Sequence, residues 1–156
     1  MPVGAYGGRK EIMKLVSPVG KVYQAGTLSG NPVAMAAGIA QLTYLKEHPE
    51  VYTKLNKTAD SFFAELQKIV DESGRGYQVN HICSLGSMFC TTQEVYDYET
   101  AKTSDTKAYA DYCNYMQNHG IYLAPAQFEA MFISAAHTQE QLAQTLETAR
   151  NYFKNN

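Results

Sequence analysis

The sequence has no excess of positive charge. Its 156 residues include 13 Lys and Arg against 15 Asp and Glu, which gives a formal net charge of −2, and the basic residues are scattered along the chain. Binding to a nucleic-acid backbone requires a basic patch or stripe. We therefore expect no nucleic-acid partner.

Long apolar runs are also missing. The most apolar run, from Val33 to Ala40, is about half of the roughly eighteen residues that a membrane span needs. The first residues, MPVGAYGGRKEIM, lack the charged-then-apolar order of a signal peptide. We expect a cytoplasmic protein that has no contact with a membrane.

Paired cysteines are absent as well. Cys83, Cys90 and Cys113 are odd in number and none belongs to a CxxC pair, so we expect reduced, buried thiols. His81 lies near Cys83 and Cys90, but a fourth ligand is missing and the spacing fits no common zinc site. We expect no metal.

The chain does contain enough apolar sequence for a folded core. Hydrophobic residues make up 45% of it and charged residues 18%, which is typical of globular proteins. The length suffices for one ordinary domain, or for a small domain and part of another. The first thirty residues include six glycines, a composition that suits turns and indicates part of a larger structure.

Three helices are predicted in the first half of the chain. A short one runs from Arg9 to Val16. The second begins at Asn31 and Pro32, a cap followed by a proline suited to the first helical turn, and continues to about Leu45. It is apolar on nearly every side and must be covered by this chain or by another. The third, from Pro49 to Ser73, is amphipathic.

From Tyr77 onward the pattern predicts strand, strand, helix, strand, strand and helix. Ser104 or Asp105 caps the first of these helices, which runs to about Asn118, and Thr138 with Gln141 forms a capping box for the last. The order is typical of an α+β fold in which two helices cover one face of a small sheet. The predicted strands are Tyr77 to His81, Ser87 to Thr92, Ile121 to Leu123 and Met131 to Ala135.

The segment YQAGTLSGNP, from Tyr23 to Pro32, has the composition of a phosphate-binding loop that opens a helix. Gly26 permits close backbone approach, and Thr27 and Ser29 add hydroxyl groups. The loop is neither a Walker A motif nor GxGxxG. An ordinary turn with two capping hydroxyls explains the same residues, so both interpretations stay open on local grounds.

Three further side chains are candidates, each with a plain structural alternative. Tyr23 can direct its hydroxyl into a pocket or pack as an ordinary aromatic residue. Glu129, at the end of the loop AlaProAlaGlnPheGlu, is either functional or solvent-facing. We interpret His137 as a structural contact beside the Thr138 cap and not as a general base.

Five segments of the chain resemble the glutamate-1-semialdehyde 2,1-aminomutases. They are PVGAYGGR at 2–9, VYQAGTLSGNP at 22–32, GIYLAP at 120–125, QFEA at 127–130 and AHT at 136–138. The resemblance implies the small C-terminal α+β domain of a pyridoxal-phosphate enzyme of fold type I, together with a fragment of its α/β large domain. It further implies the class III aminotransferase group and conversion of glutamate-1-semialdehyde into 5-aminolevulinate for tetrapyrrole synthesis.

The same resemblance implies roles for individual residues. Gly26 and Thr27 would bind the phosphate of pyridoxal 5'-phosphate across the interface of a homodimer. Tyr23 would line the active site, and Glu129 would approach the small amino-aldehyde substrate. The chain would divide into three parts. Residues 1–46 would be a fragment of the large domain with the phosphate loop and an interface helix, residues 47–75 a long connecting helix, and residues 76–156 the small C-terminal domain.

The family's lysine that forms a Schiff base with the cofactor is expected a few residues upstream of Met1. Lys10 and Lys14 follow the GlyGlyArg motif on a predicted helix and cannot replace it. We therefore expect a C-terminal portion with no catalytic residue of its own and no activity alone. Two alternatives are a non-catalytic dimerising module that binds an anion at Thr27, and a related aminotransferase with another substrate.

Overall fold

The computed structural model describes residues 3–155. The chain forms two compact units, Met1–Pro49 and Glu50–Asn156, which we call the first and the second unit. The division of the chain at residues 46 and 75 that the sequence implies stays a prediction.

The first unit contains helix α1 (Lys10–Met13) and helix α2 (Pro32–Glu47). Helix α1 is shorter than the predicted helix from Arg9 to Val16. The N–H groups of Leu15 and Val16 donate to carbonyls three residues back, at 3.0 and 3.2 Å, so the chain tightens into turns and leaves the helix.

Helix α2 begins as predicted at the Asn31 cap, whose Oδ1 accepts hydrogen bonds from the N–H groups of Val33 and Ala34. Its apolar side chains are mostly exposed, and Ile39 and Leu42 are 66% and 68% accessible. The residues that are buried in α2 are Ala34 and Gly38. Within residues 3–155, the apolar surface of this helix therefore stays open.

The second unit is an α+β fold, as predicted. In chain order it contains α3 (Glu50–Glu72), β1 (Gln78–Ile82), β2 (Leu85–Phe89), α4 (Tyr98–Ala101), α5 (Thr106–Asn118), β3 (Met131–Phe132) and α6 (Gln139–Asn155). The strands form an antiparallel sheet in the order β1-β2-β3. Local capping sets the helix starts: Asp105 caps α5, and Thr138 with Gln141 forms the predicted capping box before α6.

The core of the second unit lies between the helices and one face of the sheet. Helix α3 packs on β1 and on α6, and α6 packs on α5. The apolar stripe of α3 is buried as its amphipathic pattern predicts. Phe63 and Leu66 of α3, Met88 of β2 and Met116 of α5 are each at most 2% exposed. Tyr112, Tyr152 and Phe153 complete the core with mutual ring contacts.

The strands differ from the prediction in three places. The strand predicted from Ser87 to Thr92 lies earlier, because Ile82 pairs with Leu85 across a two-residue turn and starts β2 there. The strand predicted from Met131 to Ala135 is limited to the two residues of β3. The segment from Ile121 to Leu123 is not a strand: the Ile121 N–H donates to the carbonyl of Met116 at the end of α5.

The cysteines are free, as expected, and Cys90 and Cys113 are buried. The expectation of burial is wrong for Cys83, which is exposed. This residue occupies the two-residue turn between β1 and β2, outside the paired strands, and has a positive φ of 51°. The conformation is unusual for a residue other than glycine, asparagine or aspartate.

Arg150 on α6 connects that helix to α3. Its guanidinium donates to Glu65 at 2.6 Å and to Glu72 at 3.1 Å. We predict that Arg150→Met lowers the free energy of unfolding by about 1–2 kcal/mol, because methionine keeps the apolar stem and removes both bonds. Urea unfolding followed by tyrosine fluorescence measures this, since nine of the twelve tyrosines lie in the second unit.

The control for this prediction is ionic strength. Glu65 and Glu72 are partly exposed, so salt should screen their attraction to Arg150. The loss caused by Arg150→Met should shrink at about 1 M NaCl, where the Debye length is roughly 3 Å. A loss that salt leaves unchanged would mean that packing, and not charge, accounts for the effect.

Candidate functional site

The predicted phosphate loop forms two overlapping turns. The Ser29 N–H donates to the Gly26 carbonyl at 3.0 Å, and the Asn31 N–H donates to the Leu28 carbonyl at 3.1 Å. Gly30 has a φ of +73°, which a residue without Cβ adopts at little cost. A Cβ on Gly26 would lie 2.9 Å from the Ser29 Oγ, so a larger residue there would require the Ser29 side chain to turn away.

The first turn of α2 contributes no free donors to this loop. Pro32 has no N–H, and the N–H groups of Val33 and Ala34 donate to Asn31 Oδ1 at 3.0 and 3.1 Å. The Met35 N–H donates to the Asn31 carbonyl at 2.9 Å. The helix end can therefore attract an anion through its dipole, but the hydrogen bonds must come from elsewhere.

Those hydrogen bonds are available at Thr27. Among residues 3–155, the N–H groups of Thr27 and Leu28 and the Thr27 hydroxyl have no hydrogen-bond partner. Gly26 and Thr27 line a pocket of about 480 Å³. The other lining residues are Val3, Gly4, Leu28, Ser29 and Met35. Because this side of the loop presents donors, it fits a phosphate group.

Tyr23, the second candidate in the first unit, is 82% exposed. It does not line the pocket of Gly26 and Thr27. The structure therefore brings Gly26 and Thr27 together and leaves the Tyr23 hydroxyl in solvent.

Glu129 lies in the second unit, on the segment between α5 and β3. Its N–H closes a turn onto the Ala126 carbonyl at 3.0 Å, and its side chain is exposed. It lines a pocket of about 450 Å³ whose walls are mainly apolar. The other lining residues are Phe62, Ile121, Tyr122, Leu123, Ala124, Pro125, Ala130, Met131, Phe132, Ile133, His137, Leu142 and Thr145.

His137 reaches the same pocket and is held by its own segment. Its Nδ1 accepts a hydrogen bond from the Ser134 N–H at 2.9 Å, so the proton of the neutral ring is on Nε2. The structural contact expected at this position is present. His81 contacts Phe63 and Asp60, and no cluster of potential metal ligands occurs among the described residues.

Gln127 holds the segment that carries Glu129 in place, a role that no pattern in the sequence indicates. The side chain is 3% exposed. Its Nε2 donates to the Met88 carbonyl at 2.6 Å, and its Oε1 accepts from the Cys90 N–H at 3.2 Å. The amide thus makes the two backbone bonds that a neighbouring strand would make at the end of β2.

Tyr109 holds the beginning of the same segment. Its hydroxyl donates to the Ala124 carbonyl at 2.8 Å. Burial raises the pKa of Tyr109 to about 12. The pKa of Cys90 is also raised to about 12, mainly by burial and to a smaller extent by the nearby Asp105 carboxylate. Both groups are therefore protonated and neutral in the fold at ordinary pH.

These raised pKa values predict alkaline destabilisation. The unfolded chain releases the protons of Cys90 and Tyr109 near pH 9 and 10, whereas the folded chain holds them until about pH 12. The stabilisation is complete below pH 9 and is lost as the pH rises to 12, at up to about 1.4 kcal/mol per pH unit for each group. Urea unfolding monitored by circular dichroism from pH 8 to 11 measures the loss.

Cys90→Ala is the control for the alkaline prediction. The variant should lose the contribution of Cys90 to the slope that begins near pH 9. It should keep the contribution of Cys113, whose pKa burial also raises, and the part of the slope that begins near pH 10. Identical pH profiles for both proteins would contradict the assignment to Cys90.

No helix in the described part of the chain is long and apolar enough to cross a membrane.

Comparison with known proteins identifies relatives of nearly the whole chain. "Glutamate-1-semialdehyde 2,1-aminomutase 1" of Lachnoclostridium phytofermentans is 58% identical over 154 residues, which are 99% of this chain and 36% of that protein. The protein named "Glutamate-1-semialdehyde 2,1-aminomutase" of Ruminiclostridium cellulolyticum is 53% identical over 156 residues, 100% of this chain and 36% of its own length. The chain thus spans about a third of the length of these relatives.

Solved structures of aminotransferases share the fold of nearly the whole chain. A β-phenylalanine aminotransferase from Variovorax paradoxus superposes with a TM-score of 0.79 at 25% identity, over 95% of this chain and 34% of that one. An ω-transaminase from Sphaerobacter thermophilus superposes with a TM-score of 0.77 at 20% identity, over 96% and 34%. The sequence profile described as Aminotransferase class-III matches residues 1–151. The chain therefore belongs to the class-III aminotransferase family.

Proposed function

We propose that this chain is the C-terminal portion of a pyridoxal-phosphate-dependent glutamate-1-semialdehyde 2,1-aminomutase. That enzyme is an isomerase that forms 5-aminolevulinate for tetrapyrrole synthesis. The observation that carries the proposal is the 58% identity over 99% of the chain to a relative of that name. Because the chain spans 36% of that relative, the reaction is assigned to a longer polypeptide.

Gly26 and Thr27 would hold the phosphate group of the cofactor. The unpartnered N–H groups of Thr27 and Leu28 and the Thr27 hydroxyl can donate charge-assisted hydrogen bonds to it, and the α2 dipole adds a favourable potential. When bound, pyridoxal phosphate supplies the electron sink that amino transfer requires. The phosphate would belong to the cofactor of the other subunit of a homodimer, and the exposed apolar surface of α2 supports such an interface.

Tyr23 and Glu129 would face the substrate in the assembled enzyme. Tyr23 offers a hydroxyl that is exposed in this structure. The Glu129 carboxylate lines a mainly apolar pocket, and a carboxylate in such surroundings can pair with the protonated amine of a small amino-aldehyde.

The proposal includes a cytoplasmic location and the division of the chain at residues 46 and 75.

The 156-residue chain alone is proposed to be inactive, with no catalytic residue of its own. Purified chain incubated with pyridoxal phosphate and glutamate-1-semialdehyde should form no 5-aminolevulinate above the rate without protein. Turnover comparable to that of the Lachnoclostridium phytofermentans protein would refute this part of the proposal.

The phosphate role of Thr27 can be tested in a full-length hybrid, in which this chain replaces the segment of the Lachnoclostridium phytofermentans protein that it matches over 154 residues. Thr27→Val keeps the shape and removes the hydroxyl, whereas Thr27→Ser keeps the hydroxyl. We expect Thr27→Val to weaken pyridoxal-phosphate binding by about tenfold or more, the equivalent of one charge-assisted hydrogen bond. Thr27→Ser should bind within about threefold of the parent. Equal affinities for the three proteins would remove the role of the hydroxyl.

A further inference from the structure

The segment between α5 and β3 carries Glu129 and is attached to the sheet by one buried side chain. The Gln127 amide donates from Nε2 to the Met88 carbonyl at 2.6 Å, and its Oε1 accepts from the Cys90 N–H at 3.2 Å. Met88 and Cys90 are buried, and the Cys90 carbonyl in turn accepts from the Asp105 N–H at the cap of α5. Gln127 therefore attaches its segment to a part of the core that is itself held by α5.

Glu129 follows Gln127 within a single turn. The Glu129 N–H donates to the Ala126 carbonyl at 3.0 Å, so residues 126–129 form a four-residue turn in which Gln127 is the second residue. The Gln127 side chain points into the core, whereas Glu129 is exposed and lines the mainly apolar pocket of about 450 Å³. The position of the Gln127 amide therefore sets where the turn holds the Glu129 carboxylate.

The two bonds of Gln127 select one arrangement of this turn. A shift of the turn would leave the Met88 carbonyl and the Cys90 N–H buried without partners, which costs free energy, whereas an apolar side chain would tolerate small shifts. A further contact, from the Ser87 hydroxyl to the Glu129 carbonyl, is 3.5 Å long and weaker than either bond of Gln127. Gln127 is thus the main support of the turn.

We propose that Gln127 is a positioning residue, which holds the Glu129 carboxylate where it meets the protonated amine of the substrate. The inference rests on the proposed function, in which Glu129 faces a small amino-aldehyde. Gln127 acts only through the turn, because its own side chain is buried away from the pocket. A misplacement of about 1 Å in an active site can cost up to about a hundredfold in rate, so the two bonds affect turnover as well as stability.

Backbone ¹⁵N relaxation of the 156-residue chain tests the positioning without enzymatic activity. The order parameter of the Glu129 N–H should be about 0.85 in the parent, as in rigid backbone, and below about 0.6 in Gln127→Met. Methionine has a similar length but makes neither bond. Gln93→Met, the same change at an exposed position, should leave Glu129 at the parent value. An order parameter of about 0.85 at Glu129 in Gln127→Met, or below about 0.6 in the parent, would overturn the proposal.

Gln127→Glu gives a second variant whose effect depends on pH. When protonated, the new carboxyl group can donate to the Met88 carbonyl and accept from the Cys90 N–H, as the amide does; when ionised, it loses the donor. Burial raises the pKa of a carboxyl group, so we expect the ionisation between about pH 6 and about pH 9. The Cys90 thiol stays neutral in this range, because burial raises its pKa to about 12. The Glu129 order parameter should be about 0.85 at about pH 6 and lower at about pH 8, which tests the proposal even if Gln127→Met does not fold.

Turnover by the full-length hybrid separates positioning from stability. The ratio of kcat/KM in Gln127→Glu to that in the parent hybrid should fall by about tenfold or more between about pH 6 and about pH 9. In a Glu129→Gln background the same substitution should change kcat/KM by less than about threefold at either pH, because the group that it positions is gone. Equal losses in both backgrounds would overturn the proposal, since a structural effect does not depend on Glu129. A parent hybrid that forms no 5-aminolevulinate would refute the proposed function alone, and the order parameters would then decide whether Gln127 holds Glu129.

Discussion

Replacing Gly86 by alanine is expected to destabilise the second unit by about 3 kcal/mol, a large overpacking penalty. A Cβ at this position would lie 2.4 Å from both Cε1 and Cζ of Phe63. Phe63 is 2% exposed and is surrounded by the core, so its ring cannot move away without displacing other side chains. In thermal unfolding followed by circular dichroism, the midpoint should fall by more than about 10 °C.

Two further variants separate the clash from a general effect of glycine. Gly74→Ala places a methyl group in open space at a φ of +70°, so it should cost only the roughly 1 kcal/mol of a strained backbone. Phe63→Leu shortens the side chain that Gly86→Ala would meet. The loss of unfolding free energy in the double variant should therefore be smaller than the sum of the two single losses by at least about 1 kcal/mol. Additive losses would show that Phe63 is not the cause.

Gln127→Leu is expected to lower the free energy of unfolding by about 3 kcal/mol. Leucine fills a similar volume but leaves the Met88 carbonyl and the Cys90 N–H without partners in a buried position. A buried polar group that loses its partner costs about 1–3 kcal/mol. Urea unfolding measures the loss, and amide hydrogen exchange at Cys90 reports the broken bond directly.

Gln93→Leu is the matched control for Gln127. It makes the same chemical change at an exposed position, so it should alter stability by less than about 0.5 kcal/mol. Faster exchange of the Cys90 N–H in Gln127→Leu, without such a change in Gln93→Leu, would support the anchoring role. Unchanged exchange in both variants would refute it.

The features that the sequence predicted correctly depend on neighbours in the chain. The cap at Asn31, the cap at Asp105 and the capping box of Thr138 with Gln141 each involve residues two or three positions apart. The amphipathic pattern of α3 likewise depends on the helical repeat alone. These features depend on residues within about one helical turn of each other, so the local sequence suffices to predict the ends and faces of these helices.

The features that the sequence did not predict depend on partners far away in the chain. Gln127 is 39 residues from Met88, and no periodicity marks a glutamine that replaces a strand. The strand predicted from Ile121 to Leu123 fails because the Ile121 N–H bonds to α5 and the side chain of Gln127 occupies the end of β2. The short β3 pairs with Leu85 and Gly86 only, a register that its own residues do not encode.

The predicted phosphate loop contains features of both kinds, some predicted from the sequence and some seen only in the structure. The sequence identified Gly26, Thr27 and the Asn31 cap, and all three take part in the loop. The structure adds that the cap uses the N–H groups of Val33 and Ala34, so that the free donors are those of Thr27 and Leu28. The proposed anion site is therefore the loop in front of the helix, with Thr27 as its proposed main contact.

The most direct measurement is the conversion of glutamate-1-semialdehyde into 5-aminolevulinate by the full-length hybrid that contains this chain. The proposed function predicts turnover by the hybrid within about tenfold of the Lachnoclostridium phytofermentans protein, an activation difference of about 1.4 kcal/mol. A hybrid that is folded and binds pyridoxal phosphate, yet transfers amino groups only between separate substrates and forms no 5-aminolevulinate, would contradict it.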